Sequence, residues 1–110
     1  MMDMNEYQEM AKETNIYPDS SAGLYAMTLG LCGESGEFAD KMKKIIRDEK
    51  EVMTEENRLG LALELGDVQW YLSQIASRLG IDLSTIGEIN IEKLKSRKER
   101  GRIGGSGDER

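Results

Sequence analysis

Two acidic pairs lie inside otherwise apolar sequence: Glu34 and Glu37 in Leu31-Cys-Gly-Glu-Ser-Gly-Glu-Phe, and Glu64 and Asp67 in Leu63-Glu-Leu-Gly-Asp-Val. Each pair has i, i+3 spacing, which on an α-helix turns both carboxylates to the same side. If the two segments form one antiparallel helical hairpin, the numbers of facing residues have a constant total. Glu34 with Asp67 and Glu37 with Glu64 both total 101, which centres the hairpin between Lys50 and Glu51. That centre falls in the polar stretch from Asp48 to Met53, which reads as a connection. The four acids then stand at matching heights on adjacent helices.

The remaining sequence supports an all-α chain. At 110 residues there is room for one domain, and few aromatics, one Pro and many Leu, Ile, Met, Glu and Lys favour helices over a sheet. A first helix is expected from Asp3 to about Thr14, ended by Asn15-Ile-Tyr-Pro18 because Pro18 disfavours helix at the preceding residue. A second starts at Ser20 or Ser21 and runs to about Arg47, with Leu24, Met27, Leu31, Phe38, Met42 and Ile45 on one side. Thr54 caps a third, which continues to Leu79 and stops at Gly80, and a fourth runs from Leu83-Ser84 to about Arg100. The third helix carries a stripe of Leu61, Leu65, Val68, Leu72, Ile75 and Leu79, with Leu59, Leu63 and Trp70 nearly opposite. A small monomer can hardly cover both faces, so the expected architecture is an antiparallel bundle of about four helices completed by oligomerisation. Residues 1–100 make the domain, and the Gly-rich residues 101–110 are a tail, either flexible or ordered by a ligand.

Several function classes are disfavoured. The net charge of −6 argues against binding nucleic acid polymers, which takes a cationic surface. The absence of His excludes His-activated nucleophiles and His-ligated zinc. Cys32 is the single cysteine, and neither a basic leader followed by an apolar run nor a stretch of about 20 apolar residues is present, so a cytoplasmic protein without membrane contact is expected.

Chemistry therefore rests on the acids. Glu64 and Asp67 border the apolar stripe, with Tyr71 between them, and Glu34 and Glu37 have the same offset from Leu31. Carboxylates beside a core lose hydration and repel one another unless a cation lies between them, and oxygen ligands alone suit Mg²⁺ or Mn²⁺. A single such Glu would be read as a solvated position or an i, i+4 partner, as Glu37 has in Lys41; two pairs at matched heights are not so easily dismissed. Gly30, Gly33, Gly36 and Gly66 recur near the acids and mark crowding, which suits either the close approach of a helix or ligand or plain close helix packing. Asn90, Lys93 and Arg97 share one helical face and suit either phosphate contact or a solvated cationic helix end. Lys41 and Lys44 carry the same two readings, and Trp70 and Tyr71 suit either a base pocket or the core.

These motifs resemble those of MazG-type nucleoside triphosphate pyrophosphohydrolases of the all-α superfamily. Asn5-Glu-Tyr-Gln8 is similar to the family's opening helix, Gly30-Leu-Cys-Gly-Glu-Ser-Gly-Glu-Phe-Ala-Asp-Lys to its first acidic motif, Leu63-Glu-Leu-Gly-Asp-Val-Gln-Trp-Tyr-Leu to its second, and Asn90-Ile-Glu-Lys-Leu-Lys-Ser-Arg to its closing basic helix. Gly33 stands where the family's Glu-Glu-x-x-Glu motif has its first acid, which bears on the number of ions held. The resemblance implies Mg²⁺-dependent hydrolysis of nucleoside or deoxynucleoside triphosphates to the monophosphate and pyrophosphate, in nucleotide-pool house-cleaning, by a homodimer or homotetramer. It assigns metal ligation to Glu34, Glu37, Glu64 and Asp67, with Glu34 or Glu37 orienting the attacking water, and phosphate or nucleoside contact to Lys41, Lys44, Tyr71, Asn90, Lys93 and Arg97. A helical oligomeric module that keeps the fold without catalysis is the competing reading.

Overall fold

The computed structural model describes residues 1–110 and contains four helices: α1 (Met4–Lys12), α2 (Ser21–Asp48), α3 (Glu55–Arg78) and α4 (Leu83–Glu99). Their starts are set by capping side chains. Asp3 accepts from the Glu6 amide, Ser20 from the Gly23 amide and Thr54 from the Asn57 amide, each satisfying a donor that the first turn leaves free. α3 ends where Gly80 takes a φ of 72°, a conformation that costs a residue with a Cβ.

α2 and α3 pair as the expected antiparallel hairpin. The chain reverses through Lys50 and Glu51, the two non-glycine residues with positive φ, at 53° and 67°. These are the residues on either side of the centre given by the acidic pairs. Asn57 secures the reversal by donating to Glu49 and to the Val52 carbonyl.

Buried amides join α1 to α3. Gln8 donates to the Ile81 carbonyl at 2.9 Å and to the Ser77 hydroxyl at 3.1 Å, and its Oε1 accepts from the Leu83 amide at 2.8 Å. Gln74 donates to the Gln8 carbonyl at 3.2 Å and accepts from Asn15 at 3.1 Å. Both glutamines are buried and hydrogen-bonded, which is the condition for polar groups to sit in a core at acceptable cost. α4 leaves from the same place and leans on α1, with Asn5 donating to Ser84 Oγ at 2.8 Å.

The apolar core is small, consisting of Ala11, Met27, Ile45, Leu61, Ala76 and Leu83. The α3 stripe is only partly covered: Leu61 is buried, while Leu65, Leu72 and Leu79 are exposed, as are Leu59 and Leu63 on the opposite side. The radius of gyration is 16.8 Å, against about 13 Å for a compact 100-residue domain. No helix is long and apolar enough to cross a membrane.

Candidate active site

The hairpin brings the acids of α2 and α3 together. One carboxylate oxygen each from Glu34, Glu37 and Glu64 lies within 4.8 Å of the others. Glu34 and Glu64 are half-buried, and the Oε2 atom of each is sealed from solvent with no hydrogen-bond partner. Burial raises the Glu34 carboxyl above the ordinary carboxylate range, and Glu37 and then Asp67 raise it further by repulsion. Asp67 stands just outside the three-acid cluster, close enough for its charge to act on Glu34 and on the phenols of Tyr7 and Tyr71. Lys41 does not pair with Glu37 one turn away; its Nζ reaches across the hairpin to Glu64 Oε1 at 3.2 Å.

One lysine cannot balance three converging glutamates, and two buried oxygens remain without partners. The donors are hard oxygens throughout, since Cys32 is exposed and there is no His. This set fits a hard divalent cation, which takes carboxylate ligands from a few residues and leaves positions for water and phosphate.

An open cavity of about 340 Å³ adjoins the cluster, lined by Thr14, Tyr17, Glu34, Asp67, Trp70 and Tyr71. Its aromatic wall is mutually braced. Trp70 and Tyr71 meet edge to face with centroids 5.0 Å apart, and Tyr17 lies 6.3 Å from Trp70 and 6.1 Å from Tyr71. The Tyr17 and Tyr71 hydroxyls share a hydrogen bond at 2.9 Å, and the Trp70 indole donates to Thr14 Oγ1 at 2.7 Å. The bond to Tyr17, followed by burial and the repulsion of Tyr17, Glu34 and Asp67, pushes the Tyr71 phenol up to about 12. It is therefore neutral at any ordinary pH.

Tyr71 fits because position 30 is glycine: a Cβ there would lie 2.3 Å from Tyr71 Cε1. Gly33, Gly36 and Gly66 are different. A Cβ at any of them meets nothing within 4 Å, so close packing within the chain explains Gly30 alone of the four.

Thr14 and Tyr17 of the wall belong to the α1–α2 connection and escape a search for acidic motifs. Their signal is a second helical spacing: Trp70, Gln74 and Arg78 recur every four residues along α3, and each holds that connection. Arg78 donates to the carbonyls of Tyr17 and Pro18.

The basic residues are dispersed. Lys41 and Lys44 border a cavity of about 300 Å³ toward the interhelical turn, where Lys44 pairs with Asp40 at 2.8 Å. Asn90 is exposed on α4, and Lys93 and Arg97 are engaged by Asp108 of the tail at 3.2 and 3.3 Å. No hydrogen bond or ion pair joins these three α4 residues to the acid cluster.

The chain belongs to the MazG nucleotide pyrophosphohydrolase family, whose domain matches residues 23–101 and so takes in both acidic pairs and all of α4. The Gene 37 protein of Mycobacterium phage L5 is similar to it, with 52% identity over 114 aligned residues that cover 99% of this chain and 100% of that protein. No solved structure matches the chain.

Proposed function

We propose that the protein hydrolyses nucleoside or deoxynucleoside triphosphates to the monophosphate and pyrophosphate with Mg²⁺, Mn²⁺ being a substitute. The observation that carries this reading is the pair of partnerless buried oxygens, on Glu34 and Glu64, beside an aromatic cavity that Glu34 helps to line. Glu34, Glu37 and Glu64, with Asp67 at the margin, hold the cation. When bound, it supplies charge neutralisation at the phosphates and Lewis acidity.

The chain's own residues do the rest. Glu34, whose carboxyl burial raises above the ordinary carboxylate range, accepts the proton of the attacking water. The water oxygen bonds to the α-phosphorus as the bond to the α,β-bridging oxygen breaks, and pyrophosphate leaves. Trp70 and Tyr17 hold the nucleoside by stacking, while Tyr71, neutral and bonded to Tyr17, braces that wall. Lys93 and Arg97 contact phosphate oxygens, Arg97 as a fork and Lys93 as a point charge.

The working form is a homo-oligomer, dimer or tetramer. Its support is the open shape of the chain and the uncovered Leu59, Leu63, Leu65, Leu72 and Leu79 on both sides of α3.

The test is pyrophosphate release from a panel of ribo- and deoxyribonucleoside triphosphates. Turnover of at least one with Mg²⁺, and none in excess chelator, is expected; a folded protein that turns over none of them contradicts the proposal.

A further inference from the structure

The tail, residues 101–110, is folded onto α4. Gly101, Gly105 and Gly107 take φ values of 67°, 91° and 85°, which let it double back. Arg110 closes the loop by donating to the carbonyls of Ile103 and Gly104, and its own carbonyl accepts from Arg100 at 2.8 Å. The fold delivers Asp108 Oδ1 to Lys93 Nζ at 3.2 Å and to Arg97 Nη2 at 3.3 Å. The carbonyls of Gly107 and Asp108 accept from the same Nη2 at 3.2 and 3.0 Å.

This clasp is lopsided. The Arg97 side chain is 4% exposed whereas that of Asp108 is 85% exposed, so the tail seals the cation while its carboxylate lies at the surface. All three contacts fall on one guanidinium nitrogen, and Arg97 Nε is buried with no partner at all. A guanidinium presents a planar fork suited to two parallel bonds, and the tail uses one prong. A phosphoryl group has oxygens enough to take both prongs and Lys93 together. Exchanging Asp108 for it gives the orphaned Nε a partner, and the displaced carboxylate, already solvated, loses little.

We propose that Lys93 and Arg97 form an anion site for a pyrophosphoryl group that the chain's own Asp108 occupies at rest, making the tail a tethered competitor. The proposal rests on the phosphate-binding role of Lys93 and Arg97 given above. A carboxylate held on a short tether competes at an effective concentration of order mM, enough to weaken a ligand of comparable affinity severalfold.

The probe is inorganic pyrophosphate alone, titrated calorimetrically without metal into the intact protein, into Asp108→Asn and into Glu109→Gln. The Asp108→Asn protein should bind about 3- to 10-fold more tightly than the parent. Glu109→Gln, which removes the same charge one residue away, should not change, and adding Lys93→Gln to Asp108→Asn should cancel the gain. Equal binding by the parent and Asp108→Asn, an equal gain from Glu109→Gln, or no binding by any of them overturns the proposal. No turnover is read, so failure of the hydrolase reading would appear separately, as missing pyrophosphate release, and leave this result standing.

Discussion

At the scale of single residues, Glu34 concentrates the electrostatic tension of the site. Its proton is held more tightly in the native chain than in the unfolded one, so between those two affinities the native state binds more protons. Metal-free stability must therefore fall as pH rises across that interval. Replacing Glu34 with Gln removes the charge, so the metal-free variant should melt at a higher temperature than the parent at neutral pH, and Mg²⁺ should no longer raise its melting temperature. Thermal melts with and without Mg²⁺ check both signs. The glycines give a second contrast. Gly36→Ala places a Cβ in open space within a helix and should stabilise by about 1 kcal/mol. Gly30→Ala drives a Cβ into the Tyr71 ring and should cost about 1–3 kcal/mol, both read from denaturant midpoints. From sequence these glycines are indistinguishable, because what separates them is a side chain 41 positions away.

At the scale of elements, much of the fold was legible in the sequence and the reasons are local. Of the two serines offered as the cap of α2 it is Ser20 that caps it, Thr54 caps α3 as expected, and Gly80 ends α3. The acidic pairs located the reversal at Lys50 and Glu51, since matched heights on two helices leave little freedom for the turn between them. The attachment of α1 was not legible. It depends on Gln8, Ser73 and Gln74, polar residues whose burial is decided by partners far along the chain and not by any period of hydrophobicity. For the same reason Thr14 and Tyr17 went unnoticed beside Trp70 and Tyr71. The grip of α3 on the connection has a measurable consequence. Arg78→Met leaves the Tyr17 and Pro18 carbonyls without their donor and frees the wall carrying Tyr17. The only tryptophan, Trp70, reports on that wall, so its emission should shift toward that of an exposed indole while the far-ultraviolet helical signal persists. The loss of two hydrogen bonds to a charged group sets the stability cost at about 3–6 kcal/mol. An unchanged Trp70 spectrum would show that the connection is held by something else.

At the scale of the whole molecule, the chain is open in a way that single-chain packing does not relieve. Both faces of α3 carry exposed leucines, and α4 leans chiefly on α1, with its Ile89, Ile91 and Leu94 in solvent. Sedimentation of the protein at micromolar concentration should give a dimer or tetramer mass, and Leu63→Glu with Leu72→Glu should shift it toward the monomer; a stable parental monomer contradicts this. The account as a whole stands on one claim, that the carboxylates of α2 and α3 exist to hold a divalent cation beside the aromatic cavity. Mn²⁺ makes this directly observable, because the electron paramagnetic resonance signal of free Mn²⁺ is lost when the ion is bound. Titrated with Mn²⁺, the parent protein should take up the ion, and Glu37→Gln and Glu64→Gln should each weaken that uptake at least about tenfold, the equivalent of about 1.4 kcal/mol, with helix content unchanged. No uptake by the parent, or equal uptake by both variants, would contradict the account.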